Sequence, residues 1–527
     1  MDVTLTVDGR EVTLDDLDTT LLDALRDQLG LKTVKDGCSP QGQCGCCTVL
    51  VDGAARVACV TPLRRVAGRS VTTVDGLPAE VRERLVDAFV DAGASQCGFC
   101  TPGLVCRLAA LGSSPSAEVV ERALLAHLCR CTGWRTIVAA ATGGERRPAP
   151  PRRDMEAAAR RASIEGGATQ RVGPDVVLGR GGFADDSAPA GALVAVPRVG
   201  GGWAVGDSLA EARAAAGKVQ GRRSGGDVSW PLEVPPGDWD VTLQTTWVEP
   251  AYLEPDASWC VPGGQPVSPL ANGGAFGGKR ASVVEGAARR LADENGRSVR
   301  VVLSREDTVR TGPKRPPVAA GIRADGTGIL RVVRTEGIVD AVTSVAPGLT
   351  VEEVDVVGPP TSSALRGAGW VEAAVLLQVA KARAAGPVGT ATLPEMVRVA
   401  GPGGGVARAA VTVDERGHPS GVTVWVDAGE ALDEVVLRSY CVGAAHMALG
   451  WVCSEAISLD EDGTPVDLTI RSFGVLRAHD TPEVQVHIEP SEADPVNGSD
   501  AVFAAVAAAT WLAKGLPGTW PTDRGQW

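Results

Sequence analysis

Residues 36–60 read DGCSPQGQCGCCTVLVDGAARVACV, a glycine-rich segment that contains five cysteines. The pattern is C-x5-C-x2-C-x11-C, close to the plant-type spacing of [2Fe–2S] ligands with one residue added to the first gap. Four thiolates are what such a cluster needs, two on each iron. The spacing therefore predicts a first cluster with four ligands: Cys38, Cys44, Cys47 and Cys59.

A second set of four cysteines lies in residues 97–131, within the segments QCGFCTPG and HLCRCTGW. Its spacing is C-x2-C-x28-C-x-C, and four thiolates again match the requirement of a [2Fe–2S] cluster. Two such sets in tandem are typical of a chain that moves electrons one at a time. The predicted ligands of the second cluster are Cys97, Cys100, Cys129 and Cys131.

Two other interpretations compete for these cysteines. Disulfides need an oxidising compartment, but the chain opens on a strand-like VTLTV rather than a secretory leader, and its thirteen cysteines are an odd number. Structural zinc also uses four cysteines, usually as two C-x2-C pairs, which the C-x-C half of the second set does not match. Zinc stays open as the alternative. The remaining cysteines are interpreted as a spare in the CGCC run and as small apolar residues: Cys46, Cys106, Cys260, Cys441 and Cys453.

The composition limits the function classes. At roughly 150 residues per domain, a chain of 527 residues predicts about three or four domains. No apolar run approaches the ~18 residues of a membrane span, and no lipidation motif or twin-arginine leader is present, so we expect a cytoplasmic protein without a membrane partner. The net charge of −13 argues against nucleic acid as a partner. The five histidines are scattered and are interpreted as structural.

Residues 1–76 are predicted to form a small β-grasp domain around the first set of cysteines. Apolar and polar residues alternate over residues 2–15, which indicates a hairpin, and TVLVDGAARVACV predicts a second one. Between the hairpins, leucines recur at helical spacing from Leu17 onward. The predicted turn residues of the two hairpins are Asp8-Gly9 and Asp52-Gly53.

Residues 77–142 change character and predict a small four-helix domain that carries the second set of cysteines at helix ends. The stretch AEVRERLVDAFVDAG reads as one helix, and Pro102 suits the first position of another, because its missing N–H would be unpaired there. The Pro- and Arg-rich GGERRPAPPRR that follows is interpreted as an exposed linker, within residues 143–170.

The order CGCCTVLVDG, QCGFCTPG, CRCTGW resembles that of the molybdenum hydroxylases, the xanthine dehydrogenase and aldehyde oxidase family. The resemblance is strong over residues 1–141 and continues with gaps. GRGGFADD at residues 179–186 resembles the opening of the family's hammerhead domain. Segments that resemble its molybdopterin-binding domain are EPAYLEPD (249–256), GGAFGGK (273–279), LSRED (303–307), LRGAG (365–369) and GAAHMALGW (443–451).

The resemblance implies an α+β multidomain fold. A β-grasp ferredoxin-like domain and a four-helix cluster domain would precede a shortened α/β hammerhead-like region and a shortened molybdopterin-binding-like domain. The expected boundaries are 1–76, 77–142, a linker at 143–170, 171–260 and 261–527.

The resemblance also implies a reaction. Such enzymes insert a water-derived oxygen into an aldehyde or N-heterocycle at a molybdopterin-type molybdenum cofactor, and the electrons leave singly through two [2Fe–2S] clusters. Expected partners are a small-molecule substrate and an electron acceptor or separate flavin subunit, since no FAD domain is present in this chain; a homo-oligomer is a further expectation.

Individual residues receive roles from the same resemblance. Gln96 would hydrogen-bond the pterin, and Cys131 would join that contact while ligating iron. Arg366, otherwise a surface guanidinium, would lie beside molybdenum, where a fixed cation stabilises oxyanion charge. GGAFGGK, otherwise a glycine turn, would supply cofactor contacts from Gly274, Phe276 and Gly277.

The sequence departs from the family at several positions. The family's catalytic base is a glutamate ahead of a C-terminal apolar helix, and Ser499 occupies its place here. Asp500, one residue later, is the candidate base or else a helix cap. Arg280 and Ala368 replace a glutamate and an aromatic residue of xanthine-oxidising members, which argues against xanthine. The region 374–411 is also much shortened.

Two hypotheses of different class follow. One is a compact molybdenum hydroxylase, and the other is an electron-transfer or assembly subunit with intact clusters and a vestigial molybdenum domain. A third hypothesis is a binding protein whose cysteines hold structural zinc.

Overall fold

The computed structural model describes residues 2–15, 19–143, 153–217, 226–270, 272–384 and 397–523. These residues form an α+β protein with four sheets, which confirms the predicted fold class. One small sheet lies in the N-terminal region, two mixed sheets follow, and a fourth sheet is C-terminal.

The N-terminal sheet is the predicted β-grasp, and both predicted hairpins are present. Its strands are β1 (Asp2–Val7), β2 (Arg10–Asp15), β3 (Thr48–Val51), β4 (Ala54–Val57) and β5 (Ser70–Thr72). They are arranged in the order β2-β1-β5-β3-β4. Both hairpins turn at an Asp-Gly pair, with φ of 49° at Asp8 and 48° at Asp52. Aspartate tolerates this left-handed conformation, and the glycine after it adopts it readily.

The leucine-rich helix between the hairpins is shorter than its pattern predicts. It begins at Leu21, because the Thr20 side chain accepts the backbone N–H of Asp23 and caps the first turn. Leu17 lies outside the described residues. The short elements around this sheet are α1 (Leu21–Asp23), a π-helical turn (Ala24–Gln28) and two 3-10 helices (Ala58–Val60 and Leu63–Val66).

Four helices follow, as predicted for the second cysteine domain: α2 (Ala79–Asp91), α3 (Thr101–Ala109), α4 (Ala117–Leu124) and α5 (Arg135–Thr142). Pro102 is the second residue of α3 rather than the first, since the helix begins at Thr101. All four predicted ligands of this domain lie in the loops before α3 and α5.

The predicted linker contains a helix. Residues 144–152 lie outside the described residues, but α6 (Met155–Gly166) follows, and α7 (Pro174–Val177) comes next. The Asp154 carboxylate accepts two backbone N–H groups at the start of α6. Alanines on one face of α6 pack against the C-terminal region, so this segment is part of the folded core.

Two four-stranded sheets form the middle of the protein, in the orders β7-β6-β10-β9 and β13-β12-β11-β8. Both join strands from the two sides of the boundary expected at residue 260. The strands are β6 (Leu193–Pro197), β7 (Trp203–Gly206), β8 (Val241–Gln244), β9 (Ala257–Cys260), β10 (Val299–Val302), β11 (Val318–Ile322), β12 (Gly328–Val333) and β13 (Leu349–Val354). The helices are α8 (Leu209–Ala216), α9 (Val284–Asn295), α10 (Arg305–Thr311), α11 (Ile338–Thr343) and α12 (Trp370–Ala384).

The C-terminal sheet has the order β14-β15-β16-β17 and packs against two long apolar helices. Its strands are β14 (Arg398–Ala400), β15 (Val406–Val413), β16 (Pro419–Asp427) and β17 (Glu483–Ile488). The helices are α13 (Glu434–Cys453) and α14 (Ser499–Ala513). Both are apolar on every face, as expected of helices surrounded by protein.

Helix α13 has the length and apolar composition of a membrane span, with a mean hydropathy of 1.3. However, 89% of that apolar stretch is buried inside the protein, as in the core helix of a folded domain. Within the described ranges it is the one helix that meets this test, and a single such helix is weak evidence for a membrane.

Helix α13 also contacts the loop of the second cysteine set at very short range. A Cβ added to Gly443 would lie 1.8 Å from the carbonyl oxygen of Cys131. No side chain fits at that separation, so glycine is what allows the helix backbone to approach the cysteine loop.

We expect Gly443→Ala to reduce the stability of the protein by about 3 kcal/mol, because overpacking against a backbone carbonyl forces the helix and the loop apart. The matched control is Gly286→Ala in α9, where an added Cβ meets nothing within 4 Å. That change should be neutral or stabilise by roughly 0.5–1 kcal/mol. Urea titrations followed by tryptophan fluorescence measure both. Equal effects of the two substitutions would contradict the packing argument.

A fully buried histidine, His446, lies in α13, and its Nε2–H donates to the carbonyl oxygen of Leu476 at 3.0 Å. Burial lowers its pKa to about 4. The unfolded chain, with the ordinary pKa near 6.5, therefore binds more protons between these values, and stability falls as the pH falls.

We expect the wild-type protein to lose about 1.4 kcal/mol of stability through His446 between pH 7.5 and pH 5.5. His446→Gln should abolish this part of the pH dependence, although it destabilises the protein at both pH values. The control is His479→Gln, at an exposed histidine. Urea titrations at the two pH values test the prediction, which fails if the His446 variant keeps the wild-type pH slope.

Candidate functional site

The first set of cysteines is gathered by the loop before β3 and the 3-10 helix after β4. All four side chains are buried, and none is in a disulfide. Backbone N–H groups donate to two of the sulfurs, from Gln41 to Cys38 Sγ at 3.1 Å and from Cys59 to Cys47 Sγ at 3.4 Å. Hydrogen bonds from Cys44, and then Cys59, lower the pKa of Cys38. Thiolates that accept N–H groups suit a [2Fe–2S] cluster.

The second set of cysteines forms two pairs. Cys97 Sγ and Cys131 Sγ are 3.6 Å apart. A hydrogen bond from Cys100 lowers the pKa of Cys129 to about 6, with Thr132 contributing. Two pairs of buried thiols match the two irons of a [2Fe–2S] cluster, each with two thiolates.

Within the described part of the chain, no three or more His, Cys, Asp or Glu side chains are grouped to hold one metal ion. A [2Fe–2S] cluster divides its four thiolates between two irons, so it does not require such a group. Both sets are buried, the first has N–H donors on two of its sulfurs and the second forms two pairs, and these features fit a [2Fe–2S] cluster.

The two cysteine loops contact each other directly. A Cβ added to Gly103 would lie 2.4 Å from the carbonyl oxygen of Gly45, and one added to Gly45 would lie 2.5 Å from the ring of His127. The backbone N–H of Leu128 donates to the Cys44 carbonyl at 3.0 Å. The two predicted clusters are therefore held by loops that touch.

The amide N–H donors of Gln96, which the resemblance assigns to the pterin, are taken by protein acceptors. Its Nε2 donates to the Cys131 carbonyl at 3.0 Å, and to the Ser439 carbonyl and hydroxyl at 3.1 and 3.0 Å. Ser439 belongs to α13. An amide carries two N–H donors, so these acceptors leave none for a pterin.

The glycine-rich segment at residues 273–279 is also packed against protein. A Cβ on Gly274 would lie 3.0 Å from Cys97 Sγ, and one on Gly277 would lie 1.9 Å from the Ala364 carbonyl. The segment therefore fills the space between the second cysteine set and the LRGAG loop. The glycine positions that the resemblance assigns to cofactor contacts therefore lie against protein.

Arg366 and Phe276 line a small cavity of about 40 Å³, room for a few waters. The backbone at both is strained, with φ of 20° at Arg366 and 48° at Phe276. The guanidinium lies 5.0 Å from the Phe276 ring, and its Nε is 3.3 Å from Asp500 Oδ1. Burial lowers the pKa of Arg366, and Asp500 opposes this. The structure thus brings together three residues that the sequence singled out.

The cavity also contains donors that the sequence did not indicate. Arg315 and Arg366 each have an Nη2 without a hydrogen-bond partner among the described residues. Arg130 and Glu455 form a buried ion pair at the same cavity, with an N–O distance of 2.8 Å.

Glu165 is the residue that sequence reasoning missed. It lies in α6, inside the predicted linker, and its carboxylate accepts the backbone N–H groups of Ser499 at 2.8 Å and Gly498 at 3.2 Å. Arg161 donates to it at 3.1 Å. Burial raises the pKa of Glu165. A carboxylate is therefore present beside Ser499, but as a cap of α14 supplied from a distant segment.

Two family models match the N-terminal region: the 2Fe-2S iron-sulfur cluster binding domain at residues 5–64 and the [2Fe-2S] binding domain at residues 73–142. The nicotine 6-hydroxylase small subunit of Paenarthrobacter nicotinovorans is 43% identical over 140 residues, 26% of this chain and 79% of that protein. The nicotinate dehydrogenase small FeS subunit of Eubacterium barkeri is 39% identical over 124 residues, 23% of this chain and 78% of that protein. The aldehyde oxidoreductase of Megalodesulfovibrio gigas is 44% identical over 142 residues, but the match spans 16% of its length and 25% of this chain.

The whole chain resembles solved structures at low identity. The aldehyde oxidoreductase of Desulfovibrio gigas gives a TM-score of 0.70 at 17% identity and covers 100% of this chain and 99% of that one. The enzyme from Desulfovibrio desulfuricans gives 0.69 at 16% identity, with 97% of each chain covered. These likenesses extend the common fold beyond the N-terminal quarter. The chain therefore belongs to the molybdenum hydroxylase family of xanthine dehydrogenase and aldehyde oxidase, as an oxidoreductase with two [2Fe–2S]-binding domains.

Proposed function

We propose that this chain is an electron carrier of the family, and that its C-terminal region is a scaffold that does not hold the molybdenum cofactor. The observation that carries the proposal is the hydrogen bonding of Gln96, whose amide N–H donors are taken by the Cys131 carbonyl and by Ser439 of α13. The face of the second cluster that would meet a pterin is covered by a helix of the same chain.

In this proposal the two cysteine sets bind two [2Fe–2S] clusters. The outer cluster would be held by the first cysteine set and the inner cluster by the second. When bound, each cluster takes up and releases one electron at a time. The chain contributes buried thiolates, N–H groups on the sulfurs and the direct contact between the loops, which keeps the path between the clusters short.

A partner would supply or accept the electrons. Relatives named as small subunits of nicotine 6-hydroxylase and nicotinate dehydrogenase support an assembly with other chains, one of which would carry any flavin. We place this assembly in the cytoplasm. Domain boundaries near residues 76 and 142 are supported by the two matched family models.

A second candidate function is a compact hydroxylase acting on an aldehyde or N-heterocycle. The cavity at Arg366 favours it, because strained backbone and donors without partners are common at ligand sites. Ser499 in the place of the family glutamate, and Asp500 paired with Arg366, weigh against it. The amide of Gln96 and the packed glycine segment weigh against it further.

We expect the purified chain to contain about four irons and no molybdenum or zinc, as two [2Fe–2S] clusters require. Cys97→Ser should remove the inner cluster and leave about two irons. The control is Cys106→Ser, at a buried cysteine outside both sets. Elemental analysis and visible spectra measure these contents. One molybdenum per chain would contradict the carrier proposal in favour of the hydroxylase, and zinc without iron would contradict both.

A further inference from the structure

The loop of the first cysteine set is clamped by a short segment of the C-terminal region, residues 468–471. Gln41 Nε2 donates to the Leu468 carbonyl at 2.8 Å, and the backbone N–H of Ile470 donates to Gln41 Oε1 at 3.4 Å. The N–H of Gln41 in turn donates to Cys38 Sγ. The segment therefore contacts Gln41, and Gln41 in turn contacts a predicted iron ligand, Cys38.

Arg471 ends this segment and reaches both cysteine domains. Its Nε donates to the Gln43 carbonyl at 3.0 Å, and Gln43 immediately precedes Cys44. Its Nη2 donates to the carbonyl of Leu125, just after α4, at 2.8 Å. The backbone N–H of Arg471 donates to Gln43 Oε1 at 3.3 Å. Two hydrogen bonds therefore hold Arg471 against the first cysteine loop, and a third joins its guanidinium to the end of α4.

The charge of Arg471 lies within electrostatic range of the cysteines. Burial, and next the neighbouring Arg477, lowers the pKa of Arg471, while the Cys44 and Cys38 thiolates oppose that shift. Arginine stays protonated in proteins. Since the side chain is half-buried, solvent and salt screen its field less than that of an exposed cation.

We propose that Arg471 is a positioning residue that raises the reduction potential of the outer cluster. The proposal rests on the proposed function, which places a cluster in the first cysteine set. Reduction adds one electron, delivered from the inner cluster, and makes the outer cluster more negative without forming or breaking a bond. A fixed cation stabilises that reduced state, and net charge near a cluster is one of the determinants of its potential.

This electrostatic effect of Arg471 would give the C-terminal region a function in addition to structural support. A higher potential at the outer cluster makes electron transfer from the inner to the outer cluster more favourable, toward the face where an acceptor would dock. The relatives named as small subunits match only the first quarter of this chain, so the cation comes from a part of the protein outside that match.

The test is a redox titration of the full-length protein, with each cluster followed by low-temperature EPR. Arg471→Gln removes the positive charge. Arg471→Lys keeps the charge but lacks the planar guanidinium group that donates two of the hydrogen bonds. Arg416→Gln makes the same charge change at an exposed position and is the control. We expect the outer-cluster potential to fall in Arg471→Gln, to stay near wild type in Arg471→Lys and to be unchanged in Arg416→Gln. The inner cluster, measured in the same samples, should keep its potential in all variants.

Several results would overturn the inference. They are an unchanged outer-cluster potential in Arg471→Gln, equal shifts of both clusters, or a shift in Arg471→Lys as large as in Arg471→Gln. Loss of the outer cluster's iron in Arg471→Gln would also overturn it, in favour of a purely structural role. Absence of both clusters from the wild-type protein would instead refute the proposed function, so the two failures are distinguishable.

Discussion

The close contact between helix α13 and the loop of the second cysteine set is the constraint on which the arrangement of this protein depends. At Gly443 the helix backbone lies against the Cys131 carbonyl, and one turn earlier Ser439 accepts the amide of Gln96. The helix is the centre of the C-terminal core, so the contact fixes the N-terminal quarter of the chain to the rest. It also covers Gln96 and the Cys131 carbonyl, the positions that the resemblance assigns to the pterin contact, and so the same packing bears on the proposed function.

Buried ion pairs accompany this contact. Arg130 pairs with Glu455 across the junction of the cysteine domain and the C-terminal core, and Arg315 pairs with Glu372 beside the same cavity. Desolvation makes such pairs weak contributors to stability, but leaving one partner unpaired is costly. Any other packing of these regions would leave a buried charge unpaired, so the ion pairs raise the free energy of alternative arrangements. The charged side chains of Arg130, Arg315, Arg366 and Glu455 line the same cavity of about 40 Å³.

The sequence predicted the parts of the fold whose determinants are local. Cysteine spacing fixes which loops can surround a cluster, and the Asp-Gly pairs fix the two hairpins, because both depend on residues close in the chain. Glu165 and Arg471 could not be predicted in this way. Their partners Ser499 and Gln43 lie 334 and 428 positions away, and only tertiary packing brings them together. Helix α6 within the linker region was not predicted for the same reason, since it gains its stability from the core it packs on.

The close contact between Gly45 of the first cysteine loop and Gly103 of α3 has a consequence for the rate of electron transfer. Tunnelling between redox centres slows exponentially as the distance between them grows. At Gly45 and Gly103 the loop and the helix meet backbone to backbone, with no side chain to act as a spacer. Any larger residue at either position would lengthen the gap while leaving all eight cysteines in place. The interval between the two predicted clusters therefore depends on two residues outside both cysteine sets, and the rate of the proposed electron transfer depends on more than the cofactor content.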